Sequence, residues 1–398
     1  MQIPLYENTI LEEEKKAIYD VVESGQMSFG PKCLEFEEVF AKKLNVRNAV
    51  FVNSGSSANL LAFFALANPT LSLPSGQRRM TPGSEVIVPA VTWSTTIWPI
   101  IQAGAIPVLV DSDPLTLQMK PEAVEKAISA KTVGICAVHV LGNSCDMDRL
   151  NDIAATNQLW LMEDTCESLG GKWDGTFLGT TGIAGTYSFF FSHHITTIEG
   201  GMIVTPDDDF AELLRSMRAH GWTRHLKNKE KVEAQYSEFD PRFLFINTGF
   251  NVRPTEINAA IGLIQIEKLQ KFNERRVQIA EHWNKEFFSL IQSGDILPNT
   301  STQKASPVFF GYSAICKNTE IRNRFKNALD DAGIETRHII CGNMARQPAF
   351  QHFEHRVSGS LDGADKIMDC GIYWGANPGL SDDQVQYVTK VVKGFFNG

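Results

Sequence analysis

The stretch Tyr187–Val204, YSFFFSHHITTIEGGMIV, contains two short apolar runs joined by a polar turn. The first run, 187–191, stops at Ser192, and a pair of histidines, two threonines and a Glu-Gly-Gly sequence precede the second run, 202–204. Apolar runs of this length, bounded by polar and glycine residues, are typical of buried strands. We therefore predict two core strands here, with a polar turn that places two histidines at the edge of a sheet.

Short apolar runs of the same kind recur from about residue 47 to residue 205, with helix-period or loop segments between them. Besides the two runs above, they are AVFV at 49–52, EVIV at 85–88, IPVLV at 106–110, VGICAV at 133–138 and LWLM at 159–162. Because these runs lack strict apolar–polar alternation and helices separate them, they indicate a mostly parallel sheet covered on both faces. We therefore predict an α/β fold that binds ligands at the carboxyl ends of its strands.

The pattern becomes helical after residue 253. Apolar residues recur at three- and four-residue spacing from 255 to 291, which predicts a long connecting helix. Beyond this helix we predict a short strand at 307–310 and helices at 319–332 and 381–396. The chain is thus expected to form a large α/β domain with an N-terminal arm at 1–250, followed at 251–398 by the connecting helix and a small α+β domain.

The composition argues against several classes of protein. A net charge of −9 is unlike that of a nucleic-acid binder, which needs a basic face. The first residues lack a charged segment followed by an apolar one, and no apolar stretch approaches the roughly 20 residues that span a bilayer, so we expect a cytoplasmic protein without membrane contact. The seven cysteines include no pair separated by two residues, which argues against zinc and iron–sulfur sites.

The stretch NSGSSANLLAF, 53–63, follows one predicted strand and opens a helix. Small residues let a ligand approach the backbone, and the free N–H groups of a helix N-terminus favour an anion. One interpretation is that Gly55, Ser56 and Ser57 hold a phosphate group. The alternative, an ordinary N-capped helix, is equally compatible with this stretch alone.

Two further residues follow predicted strands. Asp164 ends the strand in LWLMEDTCESLGG, where a buried carboxylate can keep a heterocyclic nitrogen protonated, as in pyridoxal phosphate sites. Trp93, in PAVTWSTTIWP, has a flat side chain that can stack on a planar cofactor. Each also has a structural interpretation, Asp164 as the cap of the next helix and Trp93 as a partly buried loop residue.

Taken in chain order, these features resemble the sugar aminotransferases, a family of pyridoxal phosphate enzymes that act on nucleotide-linked keto sugars. The resemblance covers almost the whole chain and rests on these stretches: SGQMSFGPKCLEFEEVFAKKL, VNSGSSANL, VPAVTWSTT, VHVLGNSCDMDRL, EDTCESLG, SFFFSHHITTIEGG, RAHGWTR and GFNVRPTEINAAIGLIQIEKL. It implies the fold-type I aminotransferase architecture, with a seven-stranded, mostly parallel sheet. It also implies a homodimer whose active sites lie at the subunit interface.

The resemblance assigns roles to residues at matching positions. Gly55, Ser56 and Ser188 would hold the cofactor phosphate, Trp93 would stack on the pyridine ring, and Asp164 would pair with its nitrogen.

Two assignments are of a different kind. Asn251, in GFN, would reach the phosphate bound in the neighbouring subunit. Glu167 stands where the family often has Gln or His near the phenolic oxygen of the cofactor, so the resemblance leaves its role open.

The turn between the two strands of the opening stretch departs from the family pattern. The family has a lysine three residues before the first of the two threonines, and that lysine binds the cofactor aldehyde covalently. His193 occupies this position here, and His194 follows it. Histidine forms no stable covalent link to an aldehyde, but it transfers protons near neutral pH because its ordinary pKa is about 6.5. We therefore predict a noncovalently bound cofactor and a catalytic acid/base role for His193.

The lysine-to-histidine change resembles one branch of the family, the 3-dehydratases, which remove the C3 hydroxyl of nucleotide-linked 4-keto-6-deoxy sugars. This implies pyridoxal 5′-phosphate and pyridoxamine 5′-phosphate as cofactors, glutamate as amine donor, and a place in deoxysugar biosynthesis for the lipopolysaccharide O-antigen. Some of these enzymes hold an iron–sulfur cluster between closely spaced cysteines, which are absent here. The resemblance therefore favours the cluster-free group, whose substrate is GDP-4-keto-6-deoxymannose.

Two other hypotheses stay open. One is an aminotransferase-like enzyme that acts on another 4-keto sugar, and the other is a catalytically idle protein that binds pyridoxal phosphate. The joint presence of the other predicted site residues argues against the idle protein. His194, His220 and Arg337 are undecided between site and structural roles, although strand alternation favours only one of the two adjacent histidines facing the cofactor.

Overall fold

The computed structural model describes residues 1–397, which contain fifteen strands and thirteen α-helices. The strands are β1 Asn48–Val52, β2 Glu85–Pro89, β3 Ile106–Val110, β4 Thr132–Val138, β5 Trp160–Asp164, β6 Lys172–Trp173, β7 Thr176–Phe177, β8 Ala184–Ser188, β9 Gly201–Thr205, β10 Ile296–Pro298, β11 Ala305–Ser306, β12 Gly311–Cys316, β13 Thr336–Arg337, β14 Arg356–Val357 and β15 Gly371–Gly375. The α-helices are α1 Glu12–Ser24, α2 Pro31–Lys43, α3 Gly55–Leu66, α4 Ser94–Gln102, α5 Pro121–Ala127, α6 Met147–Thr156, α7 Asp208–Met217, α8 Lys229–Gln235, α9 Glu256–Glu286, α10 Phe288–Gln292, α11 Thr319–Asp331, α12 Asp362–Cys370 and α13 Asp382–Asn397.

The largest sheet has eight strands in the order β1-β9-β8-β5-β4-β2-β3-β14. Among these eight, only β9 runs against the others, since it pairs antiparallel with both β1 and β8. Every residue of β1 to β5 is buried, as predicted from apolar runs without alternation, because helices cover both faces. The mostly parallel α/β sheet is confirmed, with one strand more than the seven predicted. The additional strand, β14, is two residues long and pairs parallel with β3 at the sheet edge.

The opening stretch forms the end of β8, a turn and β9. The strand predicted at 202–204 lies within β9, but the strand predicted at 187–191 is wrong beyond Ser188. Pairing between β8 and β9 ends at Ser188 and Gly201, so the residues between them have no partner in this ladder. Phe190 and Phe191 therefore leave the sheet and are 36% and 39% exposed.

A second sheet has four antiparallel strands in the order β10-β12-β15-β13, and it packs against α11, α12 and α13. Trp283, Trp374 and Phe325 lie in its core. The long helix predicted at 255–291 is present as α9, which the Thr255 side chain caps, but the chain leaves the helix at Phe287 before α10 begins.

The strand predicted at 307–310 is wrong. This segment lies between β11 and β12 and belongs to no sheet. The N–H groups of Val308 and Phe310 donate instead to the backbone carbonyls of Gly142 and Leu141, which lie in a short 3₁₀ helix, Val140–Gly142. An extended apolar segment thus pairs with a loop rather than with another strand.

The domain boundary predicted at residue 250 stays a prediction. Chain beyond it supplies β14 to the large sheet, and chain before it supplies Ile3, which is buried in the core of the four-stranded sheet and pairs with Ile334. Residue 398, the end of the predicted small domain, lies outside the described residues. Within residues 1–397 no helix is long and apolar enough to cross a membrane, and no group of three His, Cys, Asp or Glu side chains is placed to hold a metal ion.

Candidate active site

The candidate site forms where the carboxyl ends of β5 and β8 meet the N-termini of α3 and α4. Asp164 ends β5 and Ser188 ends β8, and the strand register sets Asp164 beside Thr186. This is the edge of a parallel sheet at which α/β proteins bind ligands.

Gly55, Ser56 and Ser57 form the first turn of α3, and Ser188 lies against them. The Ser54 side chain caps this helix by accepting the N–H of Ser57 at 3.0 Å. A Cβ on Gly55 would stand 2.5 Å from the Ser188 Cβ and 2.9 Å from its Oγ, so only glycine fits there. Because the first N–H groups of a helix have no intrahelical partner, this turn can bind an anion.

Asp164 is 5% exposed and three hydrogen bonds hold its carboxylate. Its Oδ2 accepts from Asn59 Nδ2 at 2.8 Å and from Thr96 Oγ1 at 2.7 Å, and its Oδ1 accepts from the Cys166 N–H at 3.1 Å. Asn59 is itself held by a bond from the Thr186 hydroxyl at 2.6 Å. Asn59 lies on α3 and Thr96 on α4, so the carboxylate is fixed relative to both helices.

Trp93 immediately precedes α4 and is 56% exposed, which leaves its ring accessible for stacking. The adjoining turn is linked to α3, because the Ser56 hydroxyl bonds to Thr95 Oγ1 at 3.0 Å. Asn251, in contrast, does not join the cradle of its own chain. Its exposed side chain accepts two hydrogen bonds from Arg253, at 3.1 and 3.0 Å.

The two adjacent histidines have different surroundings. His194 is buried, and its Nε2 lies 3.1 Å from the carbonyl oxygen of Val308. His193 is half-buried, and its Nδ1 has no hydrogen-bond partner within residues 1–397. The Phe310 ring packs edge-on against His193, with 5.1 Å between the ring centroids and an interplanar angle of 76°. Nδ1 is buried without a partner in both rings. The two differ because His194 is engaged with the backbone through Nε2, whereas the His193 ring forms no hydrogen bond within residues 1–397.

Burial, reinforced by the guanidinium of Arg276, lowers the pKa of His193 to about 3. The pKa of His194 is lowered well below its ordinary value for the same two reasons, although the bond to Val308 opposes the shift. Both imidazoles are therefore neutral at physiological pH. A neutral imidazole with a free ring nitrogen is a proton acceptor.

Glu167 lies one turn beyond the end of β5. Its Oε2 accepts the N–H of Leu141 at 2.9 Å. Burial and, to a smaller extent, the charge of Asp164 raise the pKa of Glu167 to about 7, while the Leu141 bond opposes the shift. The carboxyl group is therefore partly protonated at neutral pH and can donate as well as accept a hydrogen bond.

Three residues of uncertain role have partners of their own. Arg218 is buried and ion-paired with Glu37, with 2.5 Å between Nη1 and Oε1, which supports a structural role. Arg337 pairs with Glu335 at 2.6 Å. His220 has a positive φ of 68° and its N–H donates to the carbonyl of Phe250, so it shapes a turn.

Sequence reasoning missed three residues that contact the predicted site residues, Asn59, Thr96 and Phe310, and a fourth, Arg276, whose charge acts on the two histidines. Asn59 had a signal, since it is a polar residue in an otherwise apolar helix, one turn after Gly55. Thr96 similarly lies one turn after Trp93. Arg276 and Phe310 had none, because both are distant in sequence from the histidines that they approach.

The eight-stranded sheet, the cradle at its edge and the buried strand-end carboxylate define an aminotransferase-like α/β fold. Residues 8–393 match the DegT/DnrJ/EryC1/StrS aminotransferase family, and the chain belongs to this family. The resemblance inferred from the motifs is thus confirmed.

The chain is also similar to individual proteins of known name. The chain is 36% identical to the GDP-4-keto-6-deoxy-D-mannose 3-dehydratase of Escherichia coli O55:H7, over 98% of this chain and 99% of that protein. It is 34% identical to the lipopolysaccharide biosynthesis protein RfbH of Salmonella typhimurium, over 91% of this chain and 85% of that protein. Among solved structures, the E. coli GDP-4-keto-6-deoxy-D-mannose-3-dehydratase with bound hydrated PLP matches with a TM-score of 0.90 and 35% identity, covering 99% of this chain and 100% of that one.

Proposed function

We propose that the chain is a pyridoxal phosphate- and pyridoxamine phosphate-dependent 3-dehydratase in deoxysugar biosynthesis. Its substrate would be a nucleotide-linked 4-keto-6-deoxy sugar, GDP-4-keto-6-deoxymannose, with glutamate as amine donor. One observation carries the proposal: a neutral, half-buried histidine, His193, stands where the family has its lysine, beside the cradle and the buried carboxylate of Asp164. The similarity to named 3-dehydratases supports it.

The residues present fit the cofactor. Gly55 lets Ser188 lie directly against the first turn of α3, and that turn offers N–H groups to a phosphate. Asp164 provides a buried, oriented carboxylate for the pyridine nitrogen, and Trp93 an exposed ring to cover the pyridine face. When bound, the cofactor supplies an electron sink conjugated to the sugar.

His193 would move the protons. With its pKa lowered to about 3, the ring is unprotonated at neutral pH and can accept a proton. Because Nδ1 is buried, Nε2 is the nitrogen that would act. The protonated ring can then give that proton to the C3 hydroxyl, which departs as water and would leave poorly as hydroxide. Glu167, whose pKa is about 7, would donate a hydrogen bond to the phenolic oxygen of the cofactor.

The site would be completed by a second copy of the chain in a homodimer. Four apolar residues of the site and its turn are strongly exposed in the single chain: Trp93, Phe190, Phe191 and Ile198. An exposed apolar patch next to a ligand site favours coverage by another subunit. Asn251 of each copy would reach the phosphate bound by the other. We infer a cytoplasmic location, since all seven cysteines are free thiols.

Turnover of GDP-4-keto-6-deoxymannose with glutamate and cofactor tests the proposal, with products identified by mass spectrometry and NMR. We expect the wild type to release a 3-deoxy-4-keto sugar and 2-oxoglutarate without any reductase. His193→Lys should bind the cofactor covalently and lose the dehydration. The matched control is His194→Gln, which keeps a donor for the Val308 carbonyl and should retain most of the activity.

Other outcomes point to the competing hypotheses. An amino sugar as product would mean that the chain is an aminotransferase and that His193 returns the proton to the sugar. Bound cofactor without turnover of any 4-keto nucleotide sugar would favour the idle protein.

A further inference from the structure

The segment Val308–Phe310 joins elements of the candidate site that are far apart in sequence. On one side, the Val308 carbonyl accepts from His194 Nε2 at 3.1 Å, and the Phe310 carbonyl accepts from Arg276 Nη1 at 2.9 Å. The segment therefore contacts both the histidine turn and helix α9.

On its other edge, the same segment is connected to Glu167 by hydrogen bonds through Leu141. The Val308 N–H donates to the Gly142 carbonyl at 2.9 Å, and the Phe310 N–H donates to the Leu141 carbonyl at 3.1 Å. Leu141 in turn donates its N–H to Glu167 Oε2. Close approach requires an unusual backbone, since Leu141 and Gly142 have φ values of 51° and 87°, and a Cβ on Gly142 would stand 2.5 Å from the Phe309 nitrogen.

The Phe310 side chain limits the orientation of His193. The two rings pack edge to face at 5.1 Å, and the His194 ring lies 5.8 Å from the same phenyl group. Within residues 1–397, no hydrogen bond to Nδ1 fixes the His193 ring. Phe190 also lies edge-on to His193, but at 6.0 Å between centroids, so Phe310 is the nearer of the two rings that restrict its rotation.

Arg276 is unusual because it is a buried cation without a counterion. It is 3% exposed, forms no ion pair within residues 1–397, and leaves its Nε without a hydrogen-bond partner. A buried, unpaired guanidinium is costly, and burial lowers its pKa to about 10. An apolar residue would pack at this position at a lower cost. The buried charge therefore indicates that Arg276 does more than fill space.

We propose that Val308–Phe310, anchored by Arg276, is a positioning element that holds His193 in its reactive orientation and links it to the loop that supports Glu167. Phe310 and Arg276 are then positioning residues, which act through His193 without touching the substrate. The positive charge of Arg276 also favours the neutral form of the nearby imidazoles. This inference rests on the proposed role of His193 as the proton-transferring group.

Four variants test the inference in the holoenzyme: Phe310→Leu, Arg276→Met, Arg276→Lys and Arg275→Met. Phe310→Leu removes the edge-to-face contact and keeps an apolar side chain. Arg276→Lys keeps the charge that Arg276→Met removes. Arg275→Met is the matched control, because Arg275 is the neighbouring arginine on α9 and pairs with Asp382 at the surface.

The readouts are kcat, KM, melting temperature and the ring ¹⁵N signals of His193, assigned with His193→Asn. For Phe310→Leu and Arg276→Met we expect kcat to fall about tenfold or more with KM within about threefold, since misplacement of a reacting group chiefly slows the chemical step. The His193 ring signals should move in both. Arg276→Lys should recover most of kcat, and Arg275→Met should change neither kcat nor the His193 signals.

A lower melting temperature with unchanged kcat and unchanged His193 signals in Phe310→Leu would overturn the inference, because a merely structural residue behaves that way. If the wild type does not turn over the keto sugar, the proposed function fails, yet the NMR signals still decide the positioning. Unmoved His193 signals in both Phe310→Leu and Arg276→Met would then reject it.

Discussion

At the residue scale, burial shifts the two candidate acid/base groups in opposite directions. It lowers the pKa of His193 to about 3 and raises the pKa of Glu167 to about 7, because in both cases it penalises the charged form. At neutral pH the histidine is therefore an unprotonated base, and the carboxyl group keeps part of its proton. One physical effect thus prepares an acceptor and a donor on the same edge of the sheet.

The raised pKa of Glu167 predicts that the stability of the fold depends on pH. A carboxyl group whose folded-state pKa is raised stabilises the fold most below its ordinary pKa, and that contribution is lost as pH rises through the folded value, here about 7. Glu167→Gln cannot ionise and does not have this loss. Its free energy of unfolding, relative to that of the wild type, should therefore rise by up to about 3 kcal/mol from pH 5 to pH 8. Urea unfolding of the cofactor-free wild type and Glu167→Gln at pH 5 and at pH 8 measures this difference in the free energy of unfolding.

The control for this prediction is Glu12→Gln. The Glu12 side chain is 89% exposed, so its substitution should give no pH-dependent gain. A stability difference between Glu167→Gln and wild type that stays constant from pH 5 to pH 8 would contradict the raised pKa.

Individual site residues were predictable to different degrees. The motifs around Gly55, Asp164 and His193 are local, so a single stretch of sequence reveals them. Asn59, which bonds to Asp164, and Phe310, which packs on His193, reach their partners only through the fold. No local pattern encodes a contact between residues so far apart in the chain.

At the scale of elements, the N-terminus of α3 packs directly against the end of β8. The contact depends on Gly55, whose missing Cβ lets Ser188 approach. Gly55→Ala should force the two elements apart, with a loss of about 1–3 kcal/mol in stability and weaker cofactor binding, because overpacking a fixed backbone is destabilising. Thermal unfolding and cofactor titration by absorbance measure the two effects.

Gly394→Ala provides the comparison for this glycine. Gly394 lies in α13 with open space around its Cα, so alanine should stabilise the helix by about 0.5–1 kcal/mol. Unchanged cofactor affinity in Gly55→Ala would show that the cradle tolerates a side chain and does not hold the phosphate.

The predicted elements agree with the structure where the apolar pattern is unambiguous. The buried strands β1 to β5 were predicted from short, unbroken apolar runs, and the helix α9 from apolar residues at three- and four-residue spacing. The errors are at 187–191 and 307–310, where apolar residues leave the ladder. In both segments the available backbone partners, and not the apolar composition, decide whether a strand forms.

At the scale of the whole molecule, both halves of the chain contribute to one site. Gly55, Asp164 and His193 come from the first half, and Arg276 and Phe310 come from the second, through α9 and the segment before β12. Asn251 also comes from the second half, and its exposed side chain bonds to Arg253 rather than to the cradle residues of its own chain. The site is therefore assembled from the entire fold, and in the proposed homodimer from two copies of it.

Shared sites predict a specific pattern of complementation. His193→Asn and Asn251→Ala should each inactivate the homodimer, one through proton transfer and the other through phosphate binding. In a heterodimer of the two variants, both lesions fall in one site and the other site is intact, so purified heterodimers should recover about half of the wild-type activity. Co-expression with two different affinity tags isolates these heterodimers, and dehydration of the sugar nucleotide measures their turnover.

The matched control pairs His193→Asn with Asp164→Asn. Both residues would serve the site of their own subunit, so each site of that heterodimer carries one lesion and no activity should return. Recovery in this control would mean that His193 or Asp164 serves the site of the partner subunit. No recovery in the His193–Asn251 pair, with the heterodimer intact by mass, would place Asn251 in the site of its own chain and rule out sharing through this residue.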